Sequence, residues 1–152
     1  KSDVVATGIY LANGTAIDPR EEAVYVLESA RRNCLRIAIR KDGTFGRPEI
    51  YAADFPAVPD GMAFDRDANL FVTLPLVMRA DGRQPFNRVL KVTTDGRWTT
   101  YLDDPAGTKL MNPTNCAFGG PDFRTLYFAN LHGDAFARTK TAIPGHPLYH
   151  QR

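Results

Sequence analysis

The sequence of 152 residues predicts an all-β fold built of β-propeller blades, on three observations. A polar residue opens a short apolar strand, and a turn and a returning strand follow. This pattern occurs three times, starting at Asn13, Asp60 and Thr114, about fifty residues apart. A repeat of this length with four short strands is typical of a propeller blade. No helical periodicity competes with it.

The first blade is predicted over residues 12–56, with strands at 14–18, 23–28, 34–39 and 49–52. In its third strand Leu35 and Ile37 alternate with Arg36, which is the two-residue period of a strand. Lys41-Asp42-Gly43 predicts a hairpin turn before the last strand, because glycine readily adopts positive φ.

The second blade is predicted over residues 57–105, with strands at 61–65, 70–74, 89–93 and 98–102. The third, residues 111–152, has strands at 116–119, 125–130 and 135–139 and lacks a fourth. Residues 1–11 carry a strand at 2–6 without a partner before it, which we expect to be the outer strand of a neighbouring blade. The chain is thus one domain of three blades, too few to close a ring.

Antiparallel pairing of the first two strands of each blade brings the three opening residues together on one face, near a central channel. Asn115, which follows Thr114, is expected to line the channel as well. The loops after the second strands, at 29–33, 75–88 and 131–134, rim the same face, where sites are usually built.

Composition indicates an ordinary soluble domain, with 43% hydrophobic and 24% charged residues. The formal net charge is only +2, so neither nucleic acid nor a membrane is expected as a partner. No apolar run is long enough to cross a bilayer. No signal peptide is visible, and a cytoplasmic location is favoured. Because the first residue is Lys1 and not Met, the natural amino terminus is not determined. Cys34 and Cys116 are expected to be small buried hydrophobes.

Three motifs, in order, resemble the gluconolactonase family: Asn13-Gly14, Pro59-Asp60-Gly61-Met62 and residues 114–120. This is the SMP-30, regucalcin or luciferin-regenerating-enzyme-like group, with strictosidine-synthase-like proteins as wider relatives. The resemblance covers residues 12–148. It implies a six-bladed propeller with a divalent metal in its channel, and hydrolysis of sugar lactones or related esters. Family members are much longer, so the chain resembles their carboxyl-terminal half.

The resemblance implies that Asn13 and Asp60 are metal ligands, whereas the family's third ligand, a glutamate, has no equivalent here. An amide and a carboxylate oxygen suit Ca²⁺ first, with Mg²⁺, Mn²⁺ or Zn²⁺ as alternatives. Asp60 would be ligand and proton acceptor together, while the metal polarises the substrate carbonyl. In the alternative interpretation, Asn-Gly and Asp-Gly form turns and bind nothing.

Five further residues are weaker candidates for the substrate side of the site. Thr114 and Asn115 are expected only to line the channel. Arg83 and Phe86 lie in the long rim segment 76–88, which would cover a substrate or form a solvated loop. His132, in the third rim loop, could be an acid or base at neutral pH or have no role.

Two functions from different classes therefore remain. The first is a metal-dependent hydrolase acting on a small lactone or ester. The second is a non-catalytic propeller module that binds a metal, a small ligand or a protein. In either case we expect the ring to be closed by a second copy of the chain, in a twofold homodimer, or by a missing amino-terminal half.

Overall fold

The computed structural model describes residues 2–147, and they form eleven strands in three antiparallel sheets. The first sheet contains β1 (Ala12–Ile17), β2 (Ala23–Glu28), β3 (Asn33–Ala38) and β4 (Glu49–Ala52). The second contains β5 (Met62–Phe64), β6 (Leu70–Arg79), β7 (Gly82–Val92) and β8 (Trp98–Asp103). The third contains β9 (Pro113–Gly119), β10 (Thr125–Asn130) and β11 (Ala137–Lys140).

Within each sheet the strands lie in chain order, as the blades of a propeller do. The predicted all-β fold is confirmed, and within residues 2–147 the third sheet has three strands. Residues 148–152, the end of the predicted third blade, lie outside the described residues. No helix in the described part of the chain is long and apolar enough to cross a membrane.

The predicted hairpin turns owe their shape to one repeated arrangement. Gly43 and Gly96 both adopt φ of 79°, in the left-handed region that glycine enters at little cost. The aspartate before each glycine accepts a hydrogen bond from a backbone N–H two residues on, that of Thr44 for Asp42 and that of Arg97 for Asp95. Turn chemistry visible in the sequence thus fixes these hairpins.

The core consists of two apolar layers, one on each side of the middle sheet. Leu27, Phe55 and Leu74 are buried between the first and second sheets. Phe71 and Phe128 are buried between the second and third sheets. Strand β6 therefore buries both of its faces, and the middle sheet holds its two neighbours in place.

The innermost strands approach each other so closely that they require glycine. The Gly14 N–H donates to the Asp60 carbonyl at 2.7 Å. A Cβ on Gly61 would lie 2.6 Å from both the Thr114 carbonyl oxygen and the Asn115 Cα, well inside van der Waals contact. These glycines let three inner strands converge on one channel.

The predicted rim loop at 76–88 is wrong, because this stretch extends β6 and β7 into a long hairpin. Paired residues run from Leu76 opposite Pro85 to Arg79 opposite Gly82. The ladder shifts register between Leu74 and Leu76, and this irregularity accommodates Pro75, which has no N–H to donate.

The predicted strand at 2–6 is not formed within the single chain. Val4 and Val5 are 83% and 52% exposed. A strand needs a hydrogen-bonded neighbour, and none of the strands formed by residues 2–147 pairs with this segment. Its pairing with a neighbouring blade stays a prediction.

Both cysteines are buried and free, as expected for small hydrophobes. Burial raises the pKa of each thiol to about 12, because the low-dielectric interior disfavours the thiolate. The thiols of Cys34 and Cys116 are therefore protonated near neutral pH.

Gly61→Ala should lower the free energy of unfolding by about 1–3 kcal/mol, since the added methyl overpacks the inner strands. The matched control is Gly46→Ala, whose methyl would meet the Ala38 Cβ at 3.3 Å. Urea unfolding of both variants measures the difference. Equal midpoints for the two variants would show that the inner strands tolerate the methyl.

Candidate functional site

The four predicted channel residues Asn13, Asp60, Thr114 and Asn115 line one cavity of about 500 Å³. They come from the starts of β1 and β9 and from the segment preceding β5, so the site spans all three blades. The remaining lining consists of Gly14, Thr15, Gly61 and Met62. Strand order places the start of every inner strand at the same end of its sheet, and the close packing at Gly14 and Gly61 brings these starts together.

Asp60 is held by the buried Thr73 on the neighbouring strand β6. The Asp60 N–H donates to the Thr73 carbonyl at 3.0 Å. The Gly61 N–H donates to the Thr73 hydroxyl at 2.9 Å. Two bonds to a residue with 0% exposure fix the peptide that carries the carboxylate.

The electrostatics of Asp60 are those of a half-buried carboxylate beside a single amide. Burial raises the pKa of Asp60, and a hydrogen bond from the Asn13 side chain partly offsets this rise. No ion pair to Asp60 occurs among residues 2–147. A cation in the cavity would lower this pKa by favouring the charged form.

Asn13 is connected to the Asp60 loop through Ser29, which follows β2. The Asn13 Nδ2 donates to the Ser29 Oγ at 3.3 Å, and that hydroxyl donates to the Pro59 carbonyl at 2.6 Å. Ser29 is 2% exposed. Sequence reasoning placed Ser29 in a rim loop only, although a hydroxyl at the end of a second strand was an available signal.

A second buried group near the site, Glu28, was missed. It is 1% exposed and accepts hydrogen bonds from the Tyr10 N–H at 2.8 Å and the Asn33 Nδ2 at 2.9 Å. Arg31 pairs with the same carboxylate at 3.1 Å. These three donors satisfy Glu28, which fixes the chain before β1 and does not line the cavity.

Thr114 and Asn115 line the cavity with side chains that interact with backbone groups. The Thr114 hydroxyl donates to the Ala129 carbonyl at 3.5 Å, a long hydrogen bond. The Asn115 Oδ1 accepts from the Cys116 N–H at 2.9 Å. The Asn115 oxygen thus already accepts one hydrogen bond, whereas the Thr114 hydroxyl donates its proton and keeps its lone pairs for a ligand.

The structure does not bring His132, Arg83 and Phe86 to the cavity lining. His132 Nδ1 lies 2.7 Å from the Asn112 Oδ1 at the rim. Arg83 is exposed on the hairpin arm, and Phe86 lies under the Arg88 guanidinium at 4.5 Å from the ring centre. The three residues follow the second strands of their blades, and a role of any of them at the substrate stays a prediction.

The donor set fits a hard divalent cation in part. A carboxylate oxygen and an amide oxygen are the ligand types that Ca²⁺ prefers. Within residues 2–147 no group of three or more His, Cys, Asp or Glu side chains could hold a metal ion. Asn13 and Asp60 therefore remain the two candidate side-chain ligands in this part of the chain.

Comparison with known families identifies the ancestry of this site. The family described as SMP-30/Gluconolactonase/LRE-like region matches residues 1–132. The chain belongs to this family. The match includes every candidate site residue from Asn13 to His132, and it confirms the family resemblance of the sequence motifs.

Two curated lactonases are similar to this family member. A 6-deoxy-6-sulfogluconolactonase from Pseudomonas putida is 28% identical over 98% of this chain and 53% of its own length. A gluconolactonase from Zymomonas mobilis is 27% identical over 91% of this chain and 38% of its own. The chain thus spans about half the length, or less, of these relatives.

Two solved structures share the fold. A luciferin-regenerating enzyme superposes with a TM-score of 0.72 at 20% identity, over 95% of this chain and 50% of that one. A calcium-binding protein, regucalcin, from Agrobacterium tumefaciens superposes with a TM-score of 0.60 at 19% identity, over 77% and 37%. The three sheets are therefore arranged as they are in this family's propellers.

Without divalent cations, Asp60→Asn should raise the free energy of unfolding at pH 7. The raised pKa of Asp60 means that the folded protein holds this proton more tightly than the unfolded chain, so ionisation destabilises the fold. The advantage of the variant should shrink as the pH falls through the folded-state pKa towards the ordinary 3.8. Urea unfolding in chelator at several pH values measures it.

Asp42→Asn is the matched control, because it should change the free energy of unfolding at pH 7 in the opposite direction. Hydrogen bonds from Thr44 lower the pKa of Asp42, so its charge stabilises the fold at neutral pH. That variant should be less stable than the wild type at pH 7 and should match it at low pH. A loss of stability at pH 7 for Asp60→Asn would contradict the cost assigned to its burial.

Proposed function

We propose that the protein is a metal-dependent hydrolase acting on a sugar lactone or a related ester. The observation that carries this proposal is the pairing of Asp60 with Asn13 in the inner cavity of a gluconolactonase-family fold. The names of two similar proteins, both lactonases, support the substrate class.

Asn13 and Asp60 would hold the metal through their side-chain oxygens. Ca²⁺ is proposed first because both ligands are hard oxygens and because the similar regucalcin is described as a calcium-binding protein. Mg²⁺, Mn²⁺ and Zn²⁺ are the alternatives. When bound, such a cation supplies Lewis-acid polarisation of the substrate carbonyl.

The residues of the chain have three tasks in the reaction. Asp60 accepts a proton from the water that attacks the lactone carbonyl, as a general base. The ring C–O bond then breaks, and the leaving oxygen takes up a proton to give the hydroxy acid. Asn13 lines the cavity beside Asp60, and its amide favours the ionised form of that carboxylate. Thr73 keeps the Asp60 peptide rigid.

The alternative is a propeller module that binds a metal, a small ligand or a protein without turnover. The observation that favours it is the span of the chain, which covers 53% and 38% of the two lactonases. Two side-chain ligands support binding more readily than they support catalysis.

Hydrolysis of a panel of five- and six-carbon aldonolactones should require added Ca²⁺ and should stop with chelator. Asp60→Ala should lower kcat/KM by roughly 10²-fold or more, because it removes both a ligand and the base. The matched control is Asp122→Ala, an exposed carboxylate outside the cavity lining. Metal-dependent turnover that survives Asp60→Ala would refute the assignment, and metal binding without any turnover would favour the module.

We further propose that the channel is completed by three additional blades. The outer sheets leave large apolar side chains exposed, Ile50 at 68% and Phe136 at 72%. Strand β11 is the edge of a three-stranded sheet, and the nearby blades have four. The missing blades would come from a second copy, whose segment 2–6 would pair with β11, or from an amino-terminal half.

Light scattering with and without Ca²⁺ separates these two sources of blades. A molar mass near twice 16.9 kDa is expected for the closed twofold ring. It would place two Asn13 and two Asp60 side chains in one channel. A stable monomer would eliminate the second copy and leave an amino-terminal half as the partner, and the isolated chain should then lack activity.

A further inference from the structure

We propose that Ser29 is a positioning residue that orients Asn13 as a ligand and couples it to the Asp60 loop. The inference rests on the proposed metal site at Asn13 and Asp60. It adds a third residue, on a different structural element, that would touch neither metal nor substrate and would act through hydrogen bonds alone.

The direction of each hydrogen bond follows from the groups involved. The Pro59 carbonyl can only accept, so the single proton of the Ser29 hydroxyl is committed to it, at 2.6 Å. The hydroxyl can then only accept from Asn13, at 3.3 Å, and the amide atom facing it must be Nδ2. Ser29 thereby decides between the two orientations of the Asn13 amide.

The consequence concerns the other end of the amide. With Nδ2 donating to the Ser29 hydroxyl, the orientation of the Asn13 amide is fixed by geometry. The Oδ1 is left as the atom that can face a cation in the cavity. The opposite orientation would turn an NH₂ group towards the cation and would place two acceptors, Oδ1 and the Ser29 hydroxyl, against each other.

Ser29 is itself rigid. Its N–H donates to the Leu11 carbonyl at 3.1 Å, and the residue is 2% exposed. The hydroxyl also bridges two blades, because Asn13 belongs to the first sheet and Pro59 precedes β5 of the second. A buried hydroxyl with both partners fixed is suited to hold one ligand against the other, as residues behind metal ligands do.

The first experiment is calorimetric titration of Ca²⁺ into the wild type and Ser29→Ala. Loss of the hydroxyl should raise the Kd roughly tenfold or more, as for other partners behind metal ligands. Thr141→Val is the matched control, since its hydroxyl donates to one backbone carbonyl, that of Ile143, at 2.8 Å, outside the cavity lining. This control should lose about as much thermal stability as Ser29→Ala but should leave the Kd for Ca²⁺ unchanged. Equal Kd values for wild type and Ser29→Ala would overturn the proposal.

The second experiment needs no metal. The Asn13 side-chain NH₂ resonances, assigned by their absence from Asn13→Asp, should shift in Ser29→Ala and should keep their positions in Thr141→Val. Unchanged resonances in Ser29→Ala would also overturn the positioning role. If the wild type binds no Ca²⁺ but the resonances shift in Ser29→Ala, the positioning role of Ser29 is supported. Only the proposed metal site is then contradicted.

Discussion

The close approach of the inner strands is the constraint on which the site depends. Gly14 and Gly61 let backbone lie against backbone, at distances that a single methyl group would block. This contact sets the width of the channel and brings the start of each inner strand to one cavity. Because both glycines directly follow a candidate ligand, the residue that permits close packing and the residue that carries chemistry are adjacent in the chain.

The middle sheet turns this local contact into a rigid scaffold. Its strand β6 buries Leu74 on one side and Phe71 on the other, so each neighbouring sheet has a fixed apolar surface to pack against. Phe71 also meets Tyr101 and Phe118 edge-on, with ring centres 4.8 and 5.5 Å away. The contact between Phe71 and Phe118 resists sliding between the second and third blades, and so helps to fix Thr114 and Asn115 relative to Asp60.

The site itself combines order with an unfavourable charge. Thr73 and Ser29 hold the backbone around Asp60 with buried hydroxyls. Burial nevertheless raises the pKa of Asp60, and the Asn13 amide offsets that rise only in part. A carboxylate kept ionised at such a position costs stability unless a cation compensates it. This cost links the fold to the proposed chemistry. The Asp60 carboxylate, which lowers the stability of the fold without a cation, is the group that would bind a divalent cation.

The sequence by itself determined the sheets, the turns and the convergence of the candidate ligands. These features follow from short-range rules: alternation of apolar residues, glycine after aspartate in hairpins, and antiparallel neighbours that return to the same end. Tertiary structure decided the rest. The hairpin over 76–88 depends on a register shift in the β6–β7 pairing that accommodates Pro75. The position of His132 outside the cavity lining depends on distances between blades. The role of Ser29 depends on its hydrogen bond to Pro59, thirty positions further along the chain. A local sequence pattern cannot predict such a contact.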